Sequence, residues 1–217
     1  LTPSPEAIVE VSGLKSANTH LHLMEAFTEL YAETGDRAVR KSLEEALRIN
    51  MKYFYPKNPG RSCFHRQLDW GVVTNASSAG LSYGHNVEFA WLLLQAADIL
   101  GQPREQYAAL VKPIFDQCLA YGIDWDYGGL YIEGPAAAPA RVQHKQFWQH
   151  AEAMVGLLDA YALFGEERYW SAFCKVYDFV MDKFINLPGG GEWYALLDRD
   201  GVAVRAAHTK SPSFSRS

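Results

Sequence analysis

The sequence is poor in cysteine: Cys63, Cys118 and Cys174 are its three among 217 residues, far apart and without metal-ligand spacing. A sparse, odd count excludes a disulfide framework and fits reduced thiols and a cytoplasmic location. Long apolar runs are also missing. The strongest, around Trp91 to Leu94, falls far short of a bilayer span. Neither charge dominates, since 20 Lys and Arg interleave with 25 Asp and Glu for a net −5. That balance gives no electrostatic footing for nucleic acid or an anionic membrane. No Gly-x-Gly-x-x-Gly follows a strand pattern, so no nicotinamide site is expected, and no other cofactor. Gly189-Gly190-Gly191 reads as a turn. Leu1 to Glu10 lack the basic and apolar parts of a secretion signal. The remainder, 48% hydrophobic and 21% charged, suits a single domain over residues 1–217, or part of a larger one.

Three helical hairpins can be read in succession. The first is Asn18 to Glu33 and Asp36 to Tyr53, the second His85 to Leu100 and Pro103 to Tyr121. The third is Lys145 to Phe164 and Glu166 to Phe184. Each first helix ends near a glycine (Gly35, Gly101, Gly165), the residue best suited to a left-handed stop. Phe89 to Leu94 and Met154 to Leu158 are apolar nearly all round, which predicts burial on every side. The second helices are amphipathic: Tyr169, Ala172, Phe173, Val176, Phe179, Val180 and Phe184 follow helical spacing. Arg37, Arg40, Lys41, Glu44, Glu45 and Arg48 form a wet face opposite Val39, Leu43 and Leu47. Inner helices alternating with outer ones suit a ring of hairpins or an open solenoid. Asp126 to Ile132 and Gly191 to Asp198 have strand or loop character and are expected to form short sheets over one mouth of the ring, and Pro135 to Pro139 reads as a loop tip.

Polar pairs interrupt the apolar helices. His22 and Glu25, His85 and Glu88, and Gln149 and Glu152 are each three residues apart, hence on one helix face. Their leading residues lie 63 and 64 positions apart, which predicts equivalent places in the repeat. Burying so many polar groups is costly unless they are hydrogen-bonded or serve a ligand. A shared polar pocket at one mouth of the ring is expected. A helix N-terminus disfavours imidazolium, so His85 should be neutral and able to accept a proton, unless Glu88 opposes this. His20 and His22 cannot share a helix face, which argues against a metal site with Glu25.

At these residues the chain resembles the N-acylglucosamine 2-epimerase superfamily, in its cellobiose 2-epimerase-like branch. Asn18 to Ala26 is similar to that branch's N-x-H-x-H-L-x-E-A segment. Ser82 to Glu88 is similar to its S-Y-G-H-D-x-E motif, with Asn86 in place of aspartate. Lys145 to Ala153 is similar to K-x-W-W-x-Q-A-E-A. The resemblance runs from about Asn18 to Asp200. It implies an all-α (α/α)6 barrel, of which three hairpins are present here, and metal-independent chemistry at C2 of a free sugar. The sugar's C2 proton would pass to a histidine, giving a cis-enediol that is reprotonated at C2 or at C1.

By motif match, His85 would be an acid/base, and His22 would bind and polarise substrate and help ring opening, with Asn18 beside it. Glu88 would hold a hydroxyl or orient His85, Trp148 would be a stacking wall, and Glu152 would bind substrate. The resemblance makes residues 1–217 the C-terminal half of the barrel. The family's N-terminal half and its substrate-binding arginine have no counterpart here, so a partner N-terminal half or a homo-oligomer is expected. The family's second acid/base histidine follows a lysine–x–proline element. Lys210 to Arg216 contains no histidine, and His208 precedes the element without matching. Two rival readings are a glycoside hydrolase pairing Glu88 with Asp126 or Glu152, and a degenerate sugar-binding protein.

Overall fold

The computed structural model describes residues 13–55, 63–73, 81–187 and 190–204. Among these, the first helices of the three hairpins are α1 (Ala17–Thr34), α3 (Tyr83–Ile99) and α5 (Phe147–Phe164). Their partners are α2 (Arg37–Ile49), α4 (Ala108–Gln117) and α6 (Glu167–Phe179). The first helices pack side by side, α3 between α1 and α5, and each partner helix lies against its own hairpin mate. This is the inner-and-outer arrangement of an α/α toroid. At the hairpin hinges Gly35, Gly101 and Gly165 have φ of 61°, 70° and 66°, which stops each inner helix without strain.

Local sequence explains the element ends. Ser16 caps α1 through the Thr19 N–H, and Asp36 caps α2 through the Ala38 and Val39 N–H groups. The outer helices do not stay α-helical to their expected ends. Each finishes in a π-turn, at Asn50–Phe54, Cys118–Gly122 and Val180–Phe184. The second outer helix also begins differently. After Pro103 a 3-10 turn (Arg104–Tyr107) precedes α4, and Pro113 lies inside α4 without an N–H to donate.

One apolar cluster runs through all three hairpins. On α2 the apolar face is inward, with Leu43 and Leu47 buried and the six charged residues outside. Each such leucine contributes roughly 1.5–3 kcal/mol by leaving water. On α3 every residue from Tyr83 to Ala90 is buried, and exposure begins only at Asp98 and Ile99. The flanking inner helices differ. Leu23 and Leu30 on α1, and Val155, Leu158 and Tyr161 on α5, are exposed. Among the described residues α3 alone has an inner helix on both sides, so the apolar surface of its two neighbours stays open to water.

Short antiparallel pairs gather at one end of the hairpins. They join β1 (Lys15–Ser16) to β2 (His65–Arg66), β3 (Leu81–Ser82) to β4 (Glu133–Gly134), and β5 (Lys145–Gln146) to β8 (Leu196–Leu197). A single bridge prolongs each, to Val72, Val142 and Ala203. The fourth pair is β6 (Ile185–Asn186) with β7 (Glu192–Trp193).

Of the two segments expected as strand or loop, one is mostly turn and the other forms strands. Asp126 to Ile132 is largely turn, with one bridge from Leu130 to Ile123, and the strand starts at Glu133. Asp124 accepts the Asp126 and Tyr127 N–H groups, and Gly128 and Gly129 turn the chain at φ of 84° and 79°. Gly191 to Asp198 forms the expected short sheets, with one strand in each of two. The Pro135 to Pro139 tip is a turn held by a hydrogen bond from the Gln117 amide to the Ala136 carbonyl.

Beneath these sheets lies a buried ion pair. Lys145 Nζ is 3.1 Å from Asp124 Oδ2, and both side chains are buried. Burial disfavours the Asp124 charge, yet bonds from Arg199, the Tyr127 N–H, Tyr131 and Lys145 hold its carboxyl well below the usual range. Lys145 also donates to the Arg199 carbonyl at 2.7 Å, fastening the strand that leads into α5.

Candidate active site

The strands decide which residues of the inner helices meet. Each of β1, β3 and β5 runs directly into its helix, which begins at Ala17, Tyr83 or Phe147. Counted from those starts, the third residues are Thr19, His85 and Gln149, and the sixth are His22, Glu88 and Glu152. The repeat therefore steps by 66 residues (17 to 83) and then by 64 (83 to 147). The expected equivalence of His22 with His85 is thus corrected. His22 lies one turn deeper and is the counterpart of Glu88 and Glu152. Gly84 allows the close packing of α3 on α5, since a Cβ there would lie 2.5 Å from Gln149 Cγ.

His85 occupies the third position of the most buried helix. The Ser82 hydroxyl accepts the His85 backbone N–H at 3.3 Å and lies 2.8 Å from Nδ1. On the other side Nε2 is 3.2 Å from Asn18 Oδ1, so α1 and α3 meet at this ring. Phe64 and Trp148 stand edge-on to it, with centroids at 5.1 and 4.6 Å. Burial, and then the nearby His22, push the imidazolium down to a pKa of about 4. The expected neutrality is there, with desolvation its largest cause.

The sixth-position side chains form a second layer one turn in. The Glu88 side chain is 7% exposed, with Oε1 3.9 Å from His22 Nε2. Among the described residues its Oε2 is buried without a hydrogen-bond partner, as is Gln149 Oε1. Burial first, then the Glu152 and Glu25 charges, raise the Glu88 carboxyl to a pKa of about 8. Glu88 is therefore mostly an uncharged acid at neutral pH and hardly opposes the neutrality of His85. Glu152 is also raised, chiefly by burial and against a hydrogen bond from Trp91 Nε1 at 2.9 Å. His22 is half exposed and joins Glu25 through Nδ1 and Oε2 at 2.8 Å.

His85, Asn18 and Trp148 are thus brought together at one level, and His22, Glu88 and Glu152 one turn inward. Ser82, Gln149, Trp91 and Glu25 also belong to this cluster. Gln149 and Glu25 carried a sequence signal as members of the i, i+3 pairs. Trp91 carried none, because a tryptophan in an apolar helix reads as core.

Other histidines serve the framework. His20 Nδ1 lies 2.8 Å from the Ser16 carbonyl, and its ring packs on Phe54 and Trp70, away from His22. His150 is its counterpart. Nδ1–H donates to the Gln146 carbonyl at 2.9 Å, and Nε2 accepts the Leu130 N–H at 2.9 Å. Asp126 is exposed and tied to Arg199. His208 and Lys210 to Arg216 lie outside the described residues.

No described helix is long and apolar enough to cross a membrane. The chain is 25% identical over 205 residues to the cellobiose 2-epimerase of Dictyoglomus turgidum, covering 92% of this chain and 51% of that one. It is 28% identical over 194 residues to the N-acylglucosamine 2-epimerase of Mus musculus, covering 82% and 41%. The solved cellobiose 2-epimerase of Spirochaeta thermophila superposes with a TM-score of 0.78 at 29% identity, over 94% of this chain and 49% of that one. The chain therefore spans about half the length of these relatives. The family model described as N-acylglucosamine 2-epimerase (GlcNAc 2-epimerase) matches residues 6–214, so the chain belongs to that family.

Proposed function

We propose that the protein interconverts free sugars at C2, as an epimerase or aldose–ketose isomerase, with His85 as the proton-abstracting base. One observation carries this reading. A neutral imidazole and an uncharged carboxyl, His85 and Glu88, stand one turn apart on a buried helix. In the ring-opened aldose the C2–H bond breaks, its proton passes to His85 Nε2, and a cis-enediolate forms. Glu88 donates a hydrogen bond to the developing oxyanion, an acid-and-base division set by environment.

With Asn18 in place its Oδ1 can only accept, so Nε2 carries the ring proton and Nδ1 accepts from the Ser82 hydroxyl. For Nε2 to take the C2 proton the ring proton must sit on Nδ1 instead, donating to Ser82 Oγ at 2.8 Å. Substrate then takes the place of Asn18 at Nε2. Trp148, edge-on to His85, offers its indole to the apolar face of the sugar. Return of the proton to C1 by the same imidazole, with the O2 proton passing to O1 as C2=O2 forms, gives the ketose, and epimerisation needs a donor on the opposite face.

The glycoside hydrolase reading fits less well. Glu88 and Glu152 are both pushed toward the neutral acid, whereas paired-carboxylate hydrolysis needs one of the two ionised. The decisive measurement is solvent deuterium exchange at C2 of an aldose by the native full-length protein. His85→Ala should abolish exchange and leave the melting temperature near that of the parent. Exchange that survives the substitution removes His85 from the mechanism. Turnover should require His85 deprotonated and Glu88 protonated, giving a plateau between about pH 4 and about pH 8. Glu88→Gln should remove the alkaline limb.

A further inference from the structure

One residue of the cluster has no part in the chemistry above, although its geometry is specific. Glu25 stands one turn beyond His22 on α1 as the ninth residue of its helix. The ninth residue of α3 is Trp91, whose indole N–H orients the Glu152 carboxyl. Glu25 does the corresponding work within α1, with Oε2 2.8 Å from His22 Nδ1.

A carboxylate oxygen accepts hydrogen bonds. The 2.8 Å contact to the Glu25 oxygen therefore places a proton on Nδ1, and in that tautomer Nε2 is bare. That nitrogen is directed at Glu88, 3.9 Å from Oε1. The distance is too long for a direct hydrogen bond, so the Nε2 lone pair remains available to a ligand. Beside it, Glu88 Oε2 is buried with no partner among the described residues. An acceptor nitrogen and an acid oxygen thus stand next to each other at the same level of the cluster.

We infer that Glu25 is a positioning residue that fixes His22 as the Nδ1–H tautomer, so that Nε2 and the Glu88 carboxyl together open the sugar ring before any C2 chemistry. The inference rests on the sugar reading of this site. In the step, the O1–H bond of the cyclic sugar breaks and its proton goes to His22 Nε2. The C1–O5 bond breaks as C1=O1 forms, and O5 takes the proton of the Glu88 carboxyl. His22 is left as imidazolium beside the Glu88 carboxylate, and a small rotation across the 3.9 Å gap returns the proton. With the other tautomer, Nε2–H would donate to the sugar rather than accept from it, and O1 would keep its proton. The choice of tautomer is thus the choice between base and hydrogen-bond donor.

Ring opening can be read without C2 chemistry, by following anomer equilibration of freshly dissolved D-mannose and cellobiose. The native full-length protein should accelerate it, and so should His85→Ala, which lacks C2 exchange. Glu25→Leu should slow it roughly ten- to a hundredfold through kcat with little change in KM. Glu25→Gln retains an acceptor oxygen and should recover most of the rate. In 15N-labelled protein the His22 ring nitrogens should report Nδ1–H in the parent and in Glu25→Gln, and loss of that preference in Glu25→Leu. Because Glu25 is 43% exposed, Glu25→Leu should fold, which its melting temperature checks. Unchanged anomer equilibration in Glu25→Leu, or a parent His22 that is Nε2–H or doubly protonated, would overturn the inference. Anomer equilibration in the parent without any C2 exchange would instead sink the proposed function and leave Glu25 in place.

Discussion

Replacing Glu88 by glutamine should change how stability responds to pH, by an amount the structure fixes in order of magnitude. The Glu88 carboxyl ionises near its ordinary 4.5 in the unfolded chain and near 8 in the fold. A folded pKa raised above the unfolded one adds stability that is complete below the lower value and disappears as pH climbs to the upper one. At pH 7 the unfolded carboxyl is almost fully ionised and the folded one mostly protonated. The difference is about 2.5 pK units, or roughly 3 kcal/mol at about 1.4 kcal/mol per unit.

Glu88→Gln deletes this titration while keeping the shape. It also leaves an amide to be hydrogen-bonded, a cost on the order of 1 kcal/mol that does not vary with pH. Relative to the parent, the variant should therefore gain about 3 kcal/mol between pH 4.5 and pH 7, and more by pH 8. Urea unfolding of both proteins at half-unit pH intervals measures the difference, and unchanged m-values keep the comparison valid. Parallel stability curves would mean that Glu88 ionises normally in the fold. The uncharged acid assigned to the site would then not exist.

Three further perturbations separate framework from site. Gly84→Ala places a Cβ 2.5 Å from Gln149 Cγ and 2.8 Å from its Cβ, so α3 and α5 must part. Thermal unfolding should show a loss of about 1–3 kcal/mol, and an unchanged midpoint would mean that Gln149 swings aside. Lys145→Met removes the cation from a fully buried pair with Asp124. Stability should fall by about 3 kcal/mol, measured by denaturant titration, while a neutral outcome would mean Arg199 alone satisfies Asp124. Trp148→Ala should weaken sugar binding by calorimetry, with a smaller effect on melting. A shift in melting alone returns Trp148 to the core.

The hairpins were legible in the sequence because their signals are local. Apolar runs such as Phe89 to Leu94 have one way to be buried, and Gly35, Gly101 and Gly165 stop helices whatever surrounds them. The charged face of α2 opposite Leu43 and Leu47 likewise follows from helical spacing alone. Local order also named the polar cluster, since His85, Glu88 and Glu152 stand in helices too apolar to hold them without purpose.

The sequence did not hold the register between repeats. Counting 63 residues from His22 to His85 made those two equivalent. The β1, β3 and β5 pairings instead start the helices 66 and 64 residues apart and set His22 level with Glu88. The difference lies in the connections, whose length is free to vary without altering any helix pattern. Tertiary structure also decided that Trp91 serves Glu152, that the Glu88 and Glu152 carboxyls are pushed toward their neutral forms, and that His85 is neutral chiefly through burial. Each of these depends on how closely side chains from different helices approach and how much water they exclude. Neither quantity is written in the spacing of residues along one chain.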